Sequence, residues 1–187
     1  MKTKGVFCLE GLWDKKLDDK TSVKPMLELL EVAVNIRFVY YDCATTEETK
    51  FLLNKYKTKT NSKYPILYLA FHGLESIINT YNGDISIDEI GEILEGKCKG
   101  RIIHFGSCKT LDIDARLLKG FLRQTGASAV CGYRAEIPWL ESSAFDLLLM
   151  NLFQDNTFDG RGIKALERKV KELSKKFKDL HFRMVVK

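Results

Sequence analysis

Hydrophobic runs and segments of helical period alternate along the chain, and this alternation predicts the layout of the fold. Short apolar runs typical of β-strands lie at 6–9, 36–41, 64–71, 101–105 and 127–133. Between them, apolar residues recur every three or four positions, as on one face of an amphipathic helix. Strands alternating with helices are typical of a mainly parallel sheet with helices on both faces. We therefore expect an α/β fold and a single domain over 1–187.

Local start signals support the predicted helices. Capping boxes occupy 45–48 and 86–89, each a Thr or Ser followed three residues later by Glu. Pro25 and Pro138 suit the first turn of a helix, where the missing N–H costs nothing. A narrow apolar stripe over 162–180 predicts a long amphipathic helix near the end of the chain.

The segment between the third and fourth predicted strands has a different pattern. Two short stretches within 76–87 flank Asn82 and Gly83, which is the strongest short signal for a β-hairpin. A last strand is predicted at 182–187, at an edge of the sheet. We therefore expect a small β-hairpin after the third strand, added to the main parallel sheet.

Composition narrows the class of protein. Apolar residues make up 45% of the 187 residues and charged residues 29%, which is typical of a folded globular chain. No apolar run approaches the ~20 residues of a membrane span, so no membrane partner is expected. The apolar stretch at 5–9 is too short for a signal peptide and is interpreted as a first strand.

The cysteines favour a reducing compartment. Five cysteines, an odd number, occur without a secretion signal, which favours free thiols in a cytoplasmic protein. Cys8, Cys43 and Cys131 lie in strands or at strand ends, where we expect them to be buried small hydrophobes.

The positive charge is concentrated in one terminal segment. Residues 161–187 hold ten Lys or Arg and three Asp or Glu, a net +7, so 1–160 carry −2 of the total +5. Such a segment fits nucleic acid, an acidic surface or the solvated face of a helix. The polar face lacks the interleaved aromatic residues of a single-strand binder. We favour the solvated face, and nucleic acid is disfavoured as a partner.

Two reactive residues follow neighbouring strands in the predicted order. His72 comes after the third strand and Cys108 after the fourth, a separation about as long as one strand-helix-strand crossover. Adjacent strands lie roughly 4.8 Å apart, so an imidazole and a thiol would meet at the carboxyl edge of the sheet. A thiol beside an imidazole can act as a nucleophile. The N–H groups of Gly73 and Cys108 could then form an oxyanion hole.

These residues also carry a family resemblance. A hydrophobic strand ending in His72-Gly73, followed by one ending in a small residue and Cys108, resembles the clan of cysteine peptidases that includes caspases, separases and gingipains. The segment 106–110, Gly-Ser-Cys-Lys-Thr, is similar to the nucleophile segment of CHAT domains. Residues 121–130 resemble the helix and strand that follow it in that family. The resemblance covers about 64–170.

The resemblance implies a fold and an activity. The implied fold is a caspase-like three-layer sandwich, and the implied reaction is cleavage of a peptide bond through an acyl-cysteine, without metal or organic cofactor. The substrate would be a protein or peptide, and a regulatory protein partner is expected because the chain carries no extra recognition domain. Metacaspases have an acidic residue two positions before the nucleophile. Here that residue is Gly106, so a preference for basic side chains is not supported.

Other polar residues near the predicted site have two interpretations. Asp112 and Asp114 could line a substrate pocket or cap the next helix, and we favour capping. Glu136 follows the fifth strand and is a weak pocket candidate. His104 lies within a strand and is interpreted as a hydrogen-bonded core residue. Its spacing to Cys98 and Cys108 matches no common zinc site, so no metal is expected.

The sequence leaves three functions open. The first is a cysteine endopeptidase using the His72–Cys108 dyad. The alternative is a catalytically silent CHAT-like module that acts through protein contacts. The third is a nucleic-acid binder that uses the basic C-terminal helix, whose retention on DNA or RNA would fade steeply with salt.

Overall fold

A six-stranded sheet forms the centre of the computed structural model, which describes residues 3–16 and 18–187. The strands of this sheet are β1 (Val6–Glu10), β2 (Phe38–Asp42), β3 (Ile66–Ala70), β7 (Ile102–Phe105), β8 (Ala129–Tyr133) and β9 (Phe182–Val186). They are ordered β2-β1-β3-β7-β8-β9, and only β9 runs antiparallel to its neighbour. A second, antiparallel sheet contains β4 (His72–Leu74), β5 (Ile77–Thr80) and β6 (Gly83–Ser86).

The helices connect the strands and cover the main sheet. They are α1 (Lys24–Val34), α2 (Thr46–Tyr56), α3 (Ile87–Ile93), α4 (Ala115–Thr125), α5 (Trp139–Leu152) and α6 (Gly160–Ser174). Short 3₁₀ turns lie at Lys59–Asn61 and Lys178–Leu180. Both predicted capping boxes form, at the starts of α2 and α3. Over the described ranges 3–16 and 18–187, no helix is both long and apolar enough to cross a bilayer.

The hydrophobic core has two layers, one on each side of the main sheet. Strand β1 shows the arrangement: Val6 and Cys8 point into one layer, and Phe7 and Leu9 into the other. Helices α1, α5 and α6 pack in the first layer, and α2, α3 and α4 in the second. Because both faces are covered, the central strands β3 and β8 are fully buried and carry no charged residue, as is typical of buried parallel strands. The predicted α/β fold with helices on both faces is confirmed.

The third and fourth strands of the predicted order, β3 and β7, lie side by side. Their parallel register pairs Ile66 with Ile102 and Leu69 with Phe105. Both carboxyl ends therefore meet at the same edge of the sheet. This confirms the strand adjacency on which the dyad hypothesis depends.

The predicted hairpin is part of a larger element. His72–Leu74 forms a strand of its own, so a three-stranded sheet replaces the two-stranded hairpin that the sequence indicated. The turn is Tyr81-Asn82, one residue earlier than predicted, and Gly83 begins β6. The side chain of Asn82 accepts a hydrogen bond from the Thr46 N–H at 2.9 Å. This contact fixes the turn against the start of α2 and explains the shift.

The last helix is shorter than its sequence pattern. The apolar stripe predicted one helix over 162–180, but α6 ends at Ser174, whose hydroxyl donates to the Val170 carbonyl at 2.8 Å. The chain then bends, and the Phe177 ring packs against Phe145 with centroids 5.3 Å apart. The bend, rather than a continuous helix, therefore brings Phe177 against Phe145 of α5.

Candidate active site

The two reactive residues emerge at the carboxyl edge of the main sheet. Strand β3 ends at Ala70, Phe71 is fully buried, and the exposed His72 then begins β4. Cys108 follows β7 in a turn and is partly exposed, whereas the other four cysteines are buried. Neither side chain of the predicted dyad is therefore turned into the core.

The segment after His72 packs directly against the turn that carries Cys108, residues 107–110, which we call the Cys108 turn. A Cβ atom at Gly73 would overlap Thr110 Oγ1 and would lie only 2.9 Å from the Cys108 carbonyl oxygen. Only glycine permits this approach of the two backbones. The Thr110 hydroxyl also lies 3.1 Å from the Ile77 carbonyl, and the Ser76 N–H donates to the Thr110 carbonyl at 3.3 Å. The small sheet and the Cys108 turn are thus held together.

The Cys108 turn is also fixed from the other side. The Lys109 N–H donates to the Ala135 carbonyl at 3.1 Å, although Lys109 has a φ of 56°, a left-handed conformation that costs free energy for a residue with a Cβ. Its ammonium lies 2.6 Å from the Glu136 carboxylate. This exposed hydrogen bond lowers the pKa of Glu136 and raises the pKa of Lys109. Glu136, a predicted pocket candidate, therefore lies next to the Cys108 turn.

The imidazole of His72 is oriented by Trp13, from the loop after β1. Its Nε2 atom lies 2.8 Å from the Trp13 carbonyl oxygen. Because a carbonyl oxygen can only accept, Nε2 is the donor in this contact, and in the neutral tautomer with Nε2–H the lone pair lies on Nδ1. The Trp13 indole packs edge-on against His72 with ring centroids 5.2 Å apart, and Trp139 packs against Trp13 at 4.6 Å. The tautomer that leaves Nδ1 available as a base is therefore favoured.

A buried carboxylate fixes the loop that holds His72. Glu10, at the end of β1, is 2% exposed. It accepts hydrogen bonds from the Trp13 indole at 2.5 Å, the Val23 N–H at 2.7 Å, the Ser22 hydroxyl at 2.6 Å and the Tyr40 hydroxyl at 2.5 Å. Sequence reasoning missed Glu10 and Trp13. A signal existed, because a charged residue at the carboxyl end of an apolar strand needs buried partners.

We expect Glu10→Ala to lower the rate of His72-dependent chemistry by about 10- to 100-fold, because small misplacements of a reacting group have effects of this size. Labelling of Cys108 by an electrophilic peptide measures this rate. Glu10→Gln keeps an acceptor for the Trp13 and Val23 N–H groups and is expected to restore most of it. A folded Glu10→Ala protein, checked by circular dichroism, that is labelled at the wild-type rate would contradict this positioning role.

Two backbone N–H groups remain without partners near Cys108. Hydrogen bonding alternates along antiparallel strands. The Ile87 N–H donates to the Ser76 carbonyl, so two residues further along β5 the backbone N–H and carbonyl of Ile78 point toward β6. Gly73 is the β4 partner of Ile78, and its own N–H therefore points away from β5. The Cys108 N–H donates no hydrogen bond within residues 3–16 and 18–187. The partly exposed Cys108 thus has an unused N–H donor, and the N–H of the buried Gly73 is not used by β5.

The two aspartates after the Cys108 turn have different roles. Asp114 caps α4, accepting a hydrogen bond from the Arg116 N–H at 2.6 Å, as favoured from the sequence. Asp112 does not cap the helix. Its carboxylate lies 3.4 Å from Arg134 in an exposed ion pair, because the turn at 109–112 ends before the helix begins.

The interpretation of His104 as a core histidine is confirmed. Its ring is fully buried, stacks on Tyr68 with centroids 5.0 Å apart, and lies 2.9 Å from the Asp146 carboxylate. The Tyr68 and Tyr133 hydroxyls donate to the same carboxylate, at 2.8 and 2.5 Å. His104 packs in the first core layer with Tyr68, whereas Cys98 belongs to the second. These two residues therefore cannot share a metal ion.

A family comparison places the chain. The model of a family of unknown function, DUF6642, matches residues 3–185. The chain belongs to DUF6642. No curated protein matches it in sequence.

The fold of this DUF6642 protein is that of a known enzyme family. The crystal structure of caspase-1 from Spodoptera frugiperda matches with a TM-score of 0.61 over 99% of this chain and 87% of that chain. The two sequences are 12% identical, so the likeness establishes the caspase-like fold and carries no activity with it. The chemistry of the DUF6642 chain must therefore be inferred from the arrangement of His72 and Cys108 at the carboxyl ends of β3 and β7.

Proposed function

We propose that this protein is a cysteine endopeptidase of the caspase-like, CHAT type, in which Cys108 and His72 cleave a protein substrate. The observation that carries the proposal is the hydrogen bond between His72 Nε2 and the Trp13 carbonyl, 2.8 Å long. This contact orients the exposed imidazole, and the backbone of the next residue, Gly73, packs on the Cys108 turn. In a neutral imidazole with Nε2–H, the lone pair that a general base needs lies on Nδ1.

The proposed reaction begins with proton transfer from the Cys108 thiol to His72 Nδ1. The Cys108 Sγ atom attacks the substrate carbonyl, and the resulting oxyanion accepts hydrogen bonds from the Gly73 and Cys108 N–H groups. The C–N bond then breaks, and the imidazolium of His72 gives its proton to the leaving amine. Water, deprotonated by His72, hydrolyses the acyl-cysteine and regenerates the thiol.

Gly106 lies two residues before the proposed nucleophile, and its Cβ direction faces the buried ring of Tyr68. A Cβ atom there would lie 2.5 Å from the Tyr68 ring, so no larger residue fits without rearrangement. The proposed substrate pocket therefore has no side chain at this position to attract a basic residue. Glu136 and Asp112 remain weak candidates for pocket residues, whereas Asp114 is used as the cap of α4. Of these, Glu136 has its charge partnered by Lys109 and Asp112 by Arg134. We propose that substrate choice and activation depend on surface loops and a regulatory protein partner.

One observation favours a second function, the catalytically silent protein-interaction module. The Cys108 thiol makes no hydrogen bond with His72 within the described residues. Catalytic hydrogen bonds are often long in free enzymes and tighten only when substrate binds, so a missing Cys108–His72 hydrogen bond is compatible with both functions. Reactivity toward a substrate-like electrophile does.

The proposal is tested with peptides that carry an acyloxymethyl ketone, an electrophile that needs an activated thiolate. The peptides form a panel with an acidic, a basic or an apolar side chain at the residue next to the ketone, so that each class of substrate preference is sampled. We expect covalent labelling at Cys108, located by mass spectrometry, and none in Cys108→Ala. Burial raises the pKa of the thiols of Cys8, Cys43, Cys98 and Cys131, so these should stay unlabelled.

Cys43→Ala provides the matched control, because it removes a buried thiol and leaves Cys108 in place. It should be labelled as fast as the wild type. Labelling of the wild type no faster than free cysteine, for every peptide in the panel, would refute the peptidase and leave the silent module.

A further inference from the structure

A basic groove runs along the outer edge of the main sheet, between α6 and β9. Its volume is about 500 Å³, and its walls include Arg168, Lys171 and Ser174 from α6 and Phe182 and Met184 from β9. We call these five residues, with the space they enclose, the basic groove. None of them belongs to the candidate active site.

The cations of the groove are not neutralised by the protein. Arg168 and Lys171 are exposed and form no ion pair within residues 3–16 and 18–187. By contrast, Lys169 of α6 lies 2.8 Å from Asp155, and Lys175, directly after the helix, lies 2.7 Å from Glu172. Glu167, partly buried, is the single acidic residue in the groove lining among the described residues. The groove therefore has an excess of positive charge available to a ligand.

Strand β9 presents unused backbone groups beside these cations. Toward β8, the Lys187 N–H donates to Ser128 at 3.1 Å, and the His181 carbonyl accepts from Arg134 at 3.3 Å. Since hydrogen bonding alternates along an antiparallel strand, the odd-numbered residues face β8. The N–H and carbonyl groups of Phe182, Met184 and Val186 therefore point outward, where no strand follows in the described part of the chain.

The edge of β9 also lacks the usual protection. Exposed edges are commonly blocked by proline or by inward-pointing charges. Within Phe182–Val186 the one charged residue is Arg183, whose guanidinium donates to the carbonyls of Leu111 and Ile113 at 3.2 and 2.6 Å on the far side of the sheet. Nothing in the strand itself opposes pairing with a further strand.

We propose that the basic groove binds an extended, acidic segment of a partner protein, which adds to β9 as a seventh strand. Outward backbone groups supply the affinity in this mode of recognition, and alternate side chains supply the selectivity. Phe182 and Met184 point toward the core layer that contains α6. Alternate residues of the added strand therefore face Arg168 and Lys171, which selects acidic residues two positions apart.

Charge argues against two other occupants. A second copy paired on β9 about a two-fold axis would bring both α6 helices to the same face, with like charges opposed in a segment of net +7. A nucleic acid would use the cations but not the row of outward backbone groups. The inference is independent of the proposed peptidase activity.

The test measures binding of a fluorescent peptide of about eight residues, alternating glutamate and valine, by anisotropy at low salt. We expect Arg168→Glu/Lys171→Glu to weaken binding by about tenfold or more. Met184→Pro removes one outward N–H without breaking a bond to β8 and should have a similar effect. The matched control, Lys119→Glu/Arg123→Glu on α4, changes the net charge equally and should bind as the wild type.

Three binding results would overturn the proposal: no binding of the acidic peptide to the wild type, binding that Met184→Pro leaves unchanged, and equal loss in the α4 control. Evidence of a different occupant would also overturn it, either a dimer in sedimentation that Met184→Pro abolishes or a single-stranded oligonucleotide that displaces the peptide. A lysine–valine peptide of the same length should not bind, and tight binding of it would also contradict the inference.

Discussion

Replacing His72 by alanine is expected to slow the labelling of Cys108 by peptide acyloxymethyl ketones by about 10²- to 10⁴-fold, the usual contribution of a general acid or base. The thiol remains in place, but the group that accepts its proton in the proposed mechanism is lost. The measurement is the second-order rate constant of labelling. Hydrolysis of a peptide substrate identified from the same panel should fall at least as far, because both acylation and deacylation use the imidazole.

His181→Asn is the matched control for this prediction. His181 is exposed, precedes β9 with a φ of 45°, and asparagine tolerates that left-handed conformation. The control should be labelled at the wild-type rate. If His72→Ala retains the wild-type rate while folded, Cys108 reacts without a base, and the dyad mechanism is wrong.

Asp146→Ala is expected to lower the free energy of unfolding by about 3–5 kcal/mol, because it leaves a buried cationic histidine without its counter-ion. The Asp146 carboxylate is 2% exposed and lies 2.9 Å from the His104 ring. The substitution also leaves the hydroxyls of Tyr68 and Tyr133 without this acceptor. Urea denaturation monitored by circular dichroism measures the loss. A loss below about 1 kcal/mol would show that the His104–Asp146 pair is not held as an ion pair.

The pH dependence of the free energy of unfolding distinguishes a His104–Asp146 ion pair from packing of the same residues without charge. Burial by itself lowers the pKa of His104, but the charge of Asp146 and the contact with Cys131 raise it from 6.5 to about 10. A group with a raised pKa in the folded state stabilises fully below its unfolded pKa, and that stability is lost as pH rises through the folded value. Wild-type stability should therefore fall from pH 6.5 upward until about pH 10.

The slope is best read between pH 6.5 and 8, before thiols of the unfolded chain titrate near pH 8.5. His104→Gln is neutral throughout this range and should show no such fall, and Asp146→Ala should also lose it. Parallel profiles for the wild type and His104→Gln would contradict a raised pKa for His104.

Part of the candidate site could be predicted because it follows from strand order. Reactive residues at the ends of buried parallel strands must emerge at one edge of the sheet, and His72 and Cys108 do so on the adjacent strands β3 and β7. The residues that orient them could not be found in this way. Trp13 contacts His72 across 59 positions of sequence, and no local pattern encodes such a pairing.

The amphipathic and apolar patterns alone determined the α/β class, both capping boxes and the position of the two reactive residues at strand ends. These features depend on a residue and its near neighbours, through backbone preference and burial period. Only the tertiary structure decided that β4 joins a three-stranded sheet, that Gly73 packs on the Cys108 turn, and that His72 Nε2 contacts the Trp13 carbonyl. Each of these depends on groups brought together by the packing of distant segments, whose geometry no local period specifies.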